Sequence, residues 1–280
     1  DLHKGNFFLI NGTLAGHLSA PAQMVRFHLL NGSNARFYNF GFSDNRNFYQ
    51  IASDNALLNQ PVTRTRVILG PGERAEIVVD FSGQQGQTAY FANIASEFTP
   101  ADIAPTSVDD YDRANYILFT VNIIAPTGNP VTTLPATLNH IVRLSADQAF
   151  LTRTLTLNIP PSINNGLFQM DVINITSTRG AWEVWSIVNL SEETHPFHIH
   201  DTPFQVLSRN GATPPAYEQG WKDTVLVRSL ERVDVIKAFT EYADPLGPFM
   251  YHCHILDHED KGMMGQYVIL DPVFLPFIRK

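Results

Sequence analysis

The chain has 280 residues, 44% of them hydrophobic and 16% charged, which is enough apolar surface for sizeable cores and excludes a disordered polymer. Its net charge of -8 argues against a nucleic-acid partner and against an anionic membrane surface, and no apolar run approaches the roughly 20 residues that span a bilayer. A single cysteine excludes an internal disulfide, so the redox compartment is not readable from cysteine pairing.

Length alone suggests about two domains of roughly 100 to 200 residues each. Short apolar or alternating runs bounded by Gly, Pro, Asn or Asp read as strands: Met24 to Leu30, Thr65 to Leu69, Ala75 to Phe81, Tyr116 to Ile124, Leu155 to Ile159 and Tyr267 to Leu270. No stretch has the pattern of a long amphipathic helix. Ser96 to Arg113, which contains Asp109-Asp110-Tyr111-Asp112, reads as an exposed loop. Residues 125–137, rich in Pro and Thr, have the composition of an interdomain linker. The expected division is an all-β domain over 1–125, a linker over 126–145 and a second all-β domain over 146–280. His28 lies in an apolar strand and reads as a hydrogen-bonded structural histidine, while His3, His17 and His140 read as surface or loop residues.

An internal repeat links the two halves. Glu73-Arg74-Ala75-Glu76-Ile77-Val78-Val79-Asp80-Phe81 matches Glu231-Arg232-Val233-Asp234-Val235-Ile236-Lys237-Ala238-Phe239 at an offset of 158 residues, which implies two copies of one fold. The recurrence of Glu73 as Glu231 reads as structural. At the same offset Leu30-Asn31-Gly32-Ser33 falls on Val188-Asn189-Leu190-Ser191. Phe37, Phe40 and Phe42 then fall on His195, His198 and His200. Phenylalanine fills volume and offers no lone pair, so the first copy is expected to be a metal-free spacer.

The second copy carries the chemistry. Residues 252–264 read His-Cys-His-Ile-Leu-Asp-His-Glu-Asp-Lys-Gly-Met-Met, and residues 195–200 read His-Pro-Phe-His-Ile-His. A blue-copper centre needs a thiolate, two imidazoles and a weak axial thioether. Cys253, His258 and Met263 supply three of these from one strand and loop, and His195 is the candidate for the fourth. Spacing favours Met263 over Met264 as the axial ligand, with Met264 assigned to core packing. Side chains alternate across a strand, so Cys253 faces one way while His252 and His254 face the other. The same rule places His198 and His200 on a common face, with Pro196 expected to break the run between them and His195. These two His-x-His pairs could converge on a second, imidazole-only metal site joined covalently to the first through the flanks of Cys253.

These two motifs match in full those of the multicopper oxidases, which include laccases, ascorbate oxidases, bilirubin oxidases and bacterial cuprous oxidases, and the chain resembles that family. The form His258-Glu-x-x-Gly-Met-Met264, with Trp221-Lys222-Asp223-Thr224, looks most like the bacterial copper-efflux and spore-coat branches. The resemblance implies two tandem cupredoxin-like Greek-key β-sandwiches, the middle and C-terminal domains of a three-domain oxidase. It implies type 1 copper on His195, Cys253, His258 and Met263, type 2 copper on His198, and the type 3 pair on His200, His252 and His254. A reducing substrate would give one electron at the exposed edge of His195 or His258. The electron would cross Cys253 to His252 and His254, and four such transfers would reduce dioxygen to water. The reductant stays open among phenols, bilirubin-like pigments, cuprous or manganous ions and aromatic amines. Export to the periplasm or medium is implied by the resemblance alone.

The chain departs from the family in one respect. Members build the trinuclear cluster from four His-x-His pairs, and this chain has two. It also starts at Asp1 with neither an initiator Met nor a signal peptide. The expectation is a C-terminal part of a longer protein, whose N-terminal cupredoxin domain was cleaved, omitted or supplied as another polypeptide. Such a part alone would keep type 1 copper and lack oxidase turnover. Glu192, Glu193, Asp223, Asp257, Glu259 and Asp260 lie near the motifs and are candidates to orient ligating histidines. Among them Glu259 is the expected proton donor for dioxygen reduction and Asp223 the expected substrate contact near type 1 copper, the alternative for both being a solvated loop charge. Rival readings are a blue-copper electron-transfer protein without oxidase activity and a division-associated relative that keeps the fold without copper. The second would be expected to have lost ligands. A copper nitrite reductase is disfavoured, because its chemistry does not need histidines on both sides of the cysteine.

Overall fold

The computed structural model describes residues 4–99, 102 and 109–272; His3 lies outside them. Two β-sandwiches follow one another along the chain. In the first, a five-stranded sheet takes its strands in the order Gly16–Pro21, Asn115–Ile124, Thr88–Ile94, Tyr38–Phe42, Val67–Leu69. Its partner sheet runs Met24–Leu30, Arg74–Asp80, Phe48–Ala52, Leu57–Arg64. In the second, Ser162–Ile163, Leu151–Asn158, Trp182–Asn189, Arg232–Ala238 and Phe204–Arg209 form one sheet. Ile175–Thr178, Met264–Leu270, Phe249–Cys253, His195–Ile199 and Thr224–Val227 form the other. The fold is all-β and cupredoxin-like. Among the described residues the one α-helix is Leu256–Asp260, and no helix is long and apolar enough to cross a membrane.

Alternation explains the layers. Along Arg74–Asp80 the side chains of Ala75, Ile77 and Val79 turn inward, and along Arg232–Ala238 Val233 and Val235 do the same. The first core is aromatic, with Phe42 edge-on to Phe91 and Phe40 stacked on Phe91. In the second, Trp185 is sealed among Phe239, Tyr251 and Tyr267. Each fully buried side chain of this size stabilises the fold by about 1.5–3 kcal/mol.

The repeat is a repeat of hydrogen bonds as well as residues. Asn31 donates to the carbonyl of Leu69 and Asn189 to that of Val227, while Ser33 and Ser191 donate backbone N–H groups back to the respective asparagine Oδ1. Glu73 accepts from the Gly70 N–H and Glu231 from the Arg228 N–H, each bracing the turn before its strand. Phe40 faces Asn93 across the first sheet, as His198 faces His252 across the second.

Two expectations are corrected. Pro196 does not break its strand. It lies within His195–Ile199 opposite Leu226, and its carbonyl accepts from the His254 N–H at 2.7 Å. Strand alternation therefore separates His195 from His198 and His200 unaided. The stretch Ser96 to Arg113 is also not simply an exposed loop where it is described. Asp109–Asp112 closes a capped turn, and Arg36 donates to Asp109 and to the buried Asp112 at 2.8 and 2.6 Å. Much of the rest of that stretch lies outside the described residues. His28 faces outward and pairs with Glu76 at 3.1 Å.

The two sandwiches meet through buried charge. Lys222 of the second reaches Asp54 at 2.9 Å and Glu73 at 3.2 Å of the first. Burial alone would depress the lysine, but the two carboxylates hold it above its ordinary range. Burial, with Asp54 adding to it and Lys222 opposing it, pushes Glu73 up to about 7.

Candidate metal centre

The strand Phe249–Cys253 lies antiparallel to His195–Ile199, with Phe197 opposite Cys253 and His198 opposite His252. Cys253 and His195 therefore point into the sandwich, and His198 and His252 point to its other face. Beyond the cysteine, the chain turns through Leu256–Asp260 and comes back beneath itself. The Met263 N–H donates to the His258 carbonyl, and the Cys253 N–H donates to the Met263 carbonyl at 3.1 Å. Gly262 makes that return at φ +94°, where a side chain would be strained and a Cβ would sit 3.1 Å from the Phe168 nitrogen.

The result is a sealed group of one thiol and two imidazoles. Sγ of Cys253 lies 3.6 Å from His195 Nδ1 and 3.7 Å from His258 Nδ1. Met263 is buried in the same core cluster. The outer nitrogens have their own partners. With Nδ1 turned to the sulfur, His195 Nε2–H donates to Ser191 Oγ at 3.0 Å, and Ser191 Oγ–H donates to Asn189 Oδ1. His258 Nε2 faces the Glu193 carboxylate at 3.4 Å. Burial, with the charge of His258 adding to it, brings the pKa of His195 down to about 3, and burial brings His258 down to about 4. Both imidazoles are thus neutral, with lone pairs on Nδ1. Burial raises the Cys253 thiol far above its ordinary range, so this thiol ionises only beside a cation. Among the described residues no carboxylate belongs to this group of donor atoms, which lie within 4.8 Å of one another. A thiolate and two neutral imidazoles, with Met263 in the same core cluster, suit a soft ion such as copper.

On the opposite face, His198, His200 and His252 bring ring nitrogens within 4.8 Å of one another. His200 Nε2 and His252 Nε2 are 3.3 Å apart, and the His254 ring lies 5.5 Å from that of His252. Burial and the neighbouring imidazoles bring His200 down to about 4 and lower His254, keeping lone pairs free. Glu259 meets His252 Nδ1 at 3.2 Å, and that bond holds its carboxyl below the usual range. Glu259 thus lies on the four-imidazole side, at a cluster histidine.

Asp223, expected to meet substrate beside the cysteine group, lies against the four-imidazole group instead. Its carbonyl accepts from His198 Nδ1–H at 2.9 Å, and its carboxylate is gripped by Arg74 at 2.6 and 2.7 Å. Burial would raise this carboxyl, but the bonds from Arg74 and His198 outweigh it and hold it well below the carboxylate range. Sequence reasoning missed Ser191 as the partner of His195, and missed Arg74, Thr224 and Gly72. Ser191 could have been found from the Asn-x-Ser element repeated four residues before a histidine. The others carry no local signal.

Residues 131–272 match the family model described as multicopper oxidase. The chain is 32% identical over 267 residues to the multicopper oxidase mco of Staphylococcus haemolyticus, covering 94% of this chain and 52% of that protein. It is 31% identical over 275 residues to the cell division protein FtsP of Photorhabdus laumondii, covering 95% and 55%. Among solved structures, the laccase-like multicopper oxidase CueO of Ochrobactrum sp. superposes with a TM-score of 0.84 at 31% identity, covering 96% of this chain and 61% of that one. The chain spans about half the length of the curated relatives it matches.

Proposed function

The chain belongs to the multicopper oxidase family, and we propose that it provides the electron-entry site and half of the oxygen site of a laccase-like oxidoreductase. The observation that carries this reading is one strand, Phe249–Cys253, with the cysteine group on one face and the imidazole group starting from its next residue on the other. His195, Cys253, His258 and Met263 would hold type 1 copper, His198 type 2 copper, and His200, His252 and His254 the type 3 pair. When bound, copper supplies the one-electron chemistry that couples oxidation of a reductant to four-electron reduction of dioxygen to water.

The chain's own residues divide the remaining tasks. His195 is fully buried and its outer nitrogen is spent on Ser191, whereas the outer nitrogen of His258 meets Glu193, whose side chain reaches the surface at 18% exposure. Reductant therefore docks at the His258 edge. Cys253 connects that edge to His252 and His254 through single peptide units, and His252 Nδ1 also reaches the Cys253 carbonyl at 3.1 Å. Glu259 holds a carboxylate at His252 and is the candidate to deliver protons. The reducing substrate is a phenol, a pigment, an aromatic amine or a metal ion.

We read residues 1–125 as a metal-free domain, 126–145 as a linker and 146–280 as the copper domain. Two His-x-His pairs make only one side of a trinuclear site, so the other two pairs come from an N-terminal cupredoxin domain encoded upstream or on another chain. Export to the periplasm or medium accompanies this reading. The alternative is an electron carrier without oxidase activity. The intact set of His195, Cys253, His258 and Met263 disfavours a copper-free division protein, in spite of the FtsP relatives.

Copper per chain after loading, read together with the visible absorption of the sample, tests the proposal. About one copper with an intense thiolate absorption is expected of the 280-residue chain. Oxygen consumption should appear only with the upstream domain present. Absence of copper, or copper without thiolate absorption, refutes the reading; a gene with no upstream His-x-His pairs favours the carrier.

A further inference from the structure

The turn that leads from Val67–Leu69 into Arg74–Asp80 belongs to the first sandwich, yet it reaches the histidines of the second. Gly72 sits there at φ +82°, and a Cβ on it would fall 2.4 Å from Cδ2 and 2.6 Å from Nε2 of His254. Its backbone is the wall behind that imidazole. Two residues on, Arg74 places both terminal nitrogens on the two oxygens of Asp223. The Arg74 backbone N–H is itself tied to Asp54 Oδ1 at 2.8 Å, and one terminal nitrogen also donates to the Asp54 carbonyl. Asn55 adds a donor to Asp223 Oδ2 at 2.9 Å, and Thr224 Oγ donates to Oδ1 at 2.8 Å. Held in this way, Asp223 presents its carbonyl to His198 Nδ1–H, leaving Nε2 as the only lone pair of that ring.

The repeat provides an internal control. Arg232 occupies the equivalent place in the second copy, where its Nε donates to Asp234 on its own strand and its side chain is 54% exposed. The fold does not require an arginine there to leave its sheet. Arg74 does leave it, as a planar fork fitted to a carboxylate of the other sandwich.

We propose that the metal-free sandwich is the template of the imidazole group: Arg74 is a positioning residue that fixes the tautomer and ring orientation of His198 through Asp223, and Gly72 bars His254 from turning away. This rests on the reading of His198 and His254 as copper ligands given above.

The test uses the 280-residue chain with Arg74→Met, Arg74→Lys, Gly72→Ala and Arg232→Met. Nitrogen-15 histidine spectra of the copper-free protein report the His198 tautomer without any metal. The wild type and Arg232→Met should show a single Nδ1–H form, and Arg74→Met a mixture, with Arg74→Lys in between. Titration with Cu(II) of the same variants in the complete oxidase, with the upstream domain present, should then show non-blue sites weakened by about 10- to 100-fold in Arg74→Met and in Gly72→Ala, with the Cys253 absorption unchanged. An unchanged His198 spectrum in Arg74→Met overturns the proposal, as does an equal change in Arg232→Met. Unchanged non-blue affinity in Gly72→Ala overturns the role of Gly72. If Arg74→Met does not fold, Arg74→Lys, which keeps the charge and loses the fork, decides by the same tautomer reading. A tautomer shift with no copper at the imidazoles of any variant, wild type included, once the upstream domain is present would leave the positioning intact and defeat the copper reading instead.

Discussion

Replacing Lys222 by Met removes the cation from Glu73 and leaves Asp54 facing the more distant Arg74 guanidinium at 4.0 Å. The side chains of Lys222, Asp54 and Glu73 are 6%, 0% and 5% exposed, so little water can take its place. Asp54 keeps backbone donors from Arg74, Asp223 and Thr224, whereas among the described residues Glu73 keeps the Gly70 N–H. Breaking a buried pair on one side costs about 3–5 kcal/mol, and that is the loss expected in urea unfolding near pH 8, read as a lower midpoint at constant slope. The loss should depend on pH in one direction. Glu73 has a folded pKa raised to about 7 from 4.5, so its contribution is complete below the unfolded value and fades as the pH rises through the folded one. Removing Lys222 lifts Glu73 further, and each added pKa unit is worth about 1.4 kcal/mol when the group takes a proton. The deficit relative to wild type should therefore shrink by about 1 kcal/mol or more between about pH 8 and pH 5.5. A loss below about 1 kcal/mol, or one equal at both pH values, would refute the account of the interface.

The copper-free chain should lose stability on mild acidification, because His195 and His258 are held at about 3 and about 4 against 6.5 unfolded. Their contribution is complete above the unfolded value and falls away toward pH 4; near pH 5 the loss is about 2 kcal/mol for each ring, and a urea midpoint flat from pH 7 to 5 would contradict it. Glu259→Gln, in the complete oxidase, should slow oxygen reduction by about 100-fold while leaving the Cys253 absorption unchanged; an unaltered turnover number would remove the proton-delivery role. Trp185→Ala empties a site bounded by Phe239, Tyr251 and Tyr267. It should cost about 3–5 kcal/mol in denaturant unfolding, with less than about 1 kcal/mol showing that the second core is not centred there.

The grouping of the candidate site residues was legible wherever it is local. Cys253, His258 and Met263 lie within eleven consecutive residues, and period-two alternation assigns His195 and His198 to opposite faces without knowledge of the fold. The repeat was legible for the same reason, and Glu73 and Glu231 do brace equivalent turns. What the sequence did not reveal joins distant positions. Arg74 and Asp223 are 149 residues apart, and nothing near either tells which surface will be opposite. Asp223 is expected beside the cysteine group and lies against His198 instead, because adjacency to a motif is a weak guide to direction. Asp112 looked like a solvated loop charge, since its partner Arg36 is 76 residues away in a stretch without any motif.

The phenylalanines of the first copy and its long-range arginine are two sides of one division of labour. Phe37, Phe40 and Phe42 put buried apolar volume at the positions that carry His195, His198 and His200 in the second copy, and a phenyl ring offers no lone pair to a metal. The first copy's turn at Gly70–Arg74 keeps the bracing glutamate of the shared fold but turns the next side chain outward onto a neighbour. An imidazole at a metal site is useful only when one nitrogen is fixed and the other is bare, and strand pairing alone fixes neither. For His195 and His258 the bonds come from the second sandwich itself, through Ser191 and Glu193. For His198 the carbonyl that orients the ring is anchored across the interface by Arg74. The cysteine group is therefore complete within one sandwich, whereas the imidazole group needs two sandwiches even before any further ligands are counted.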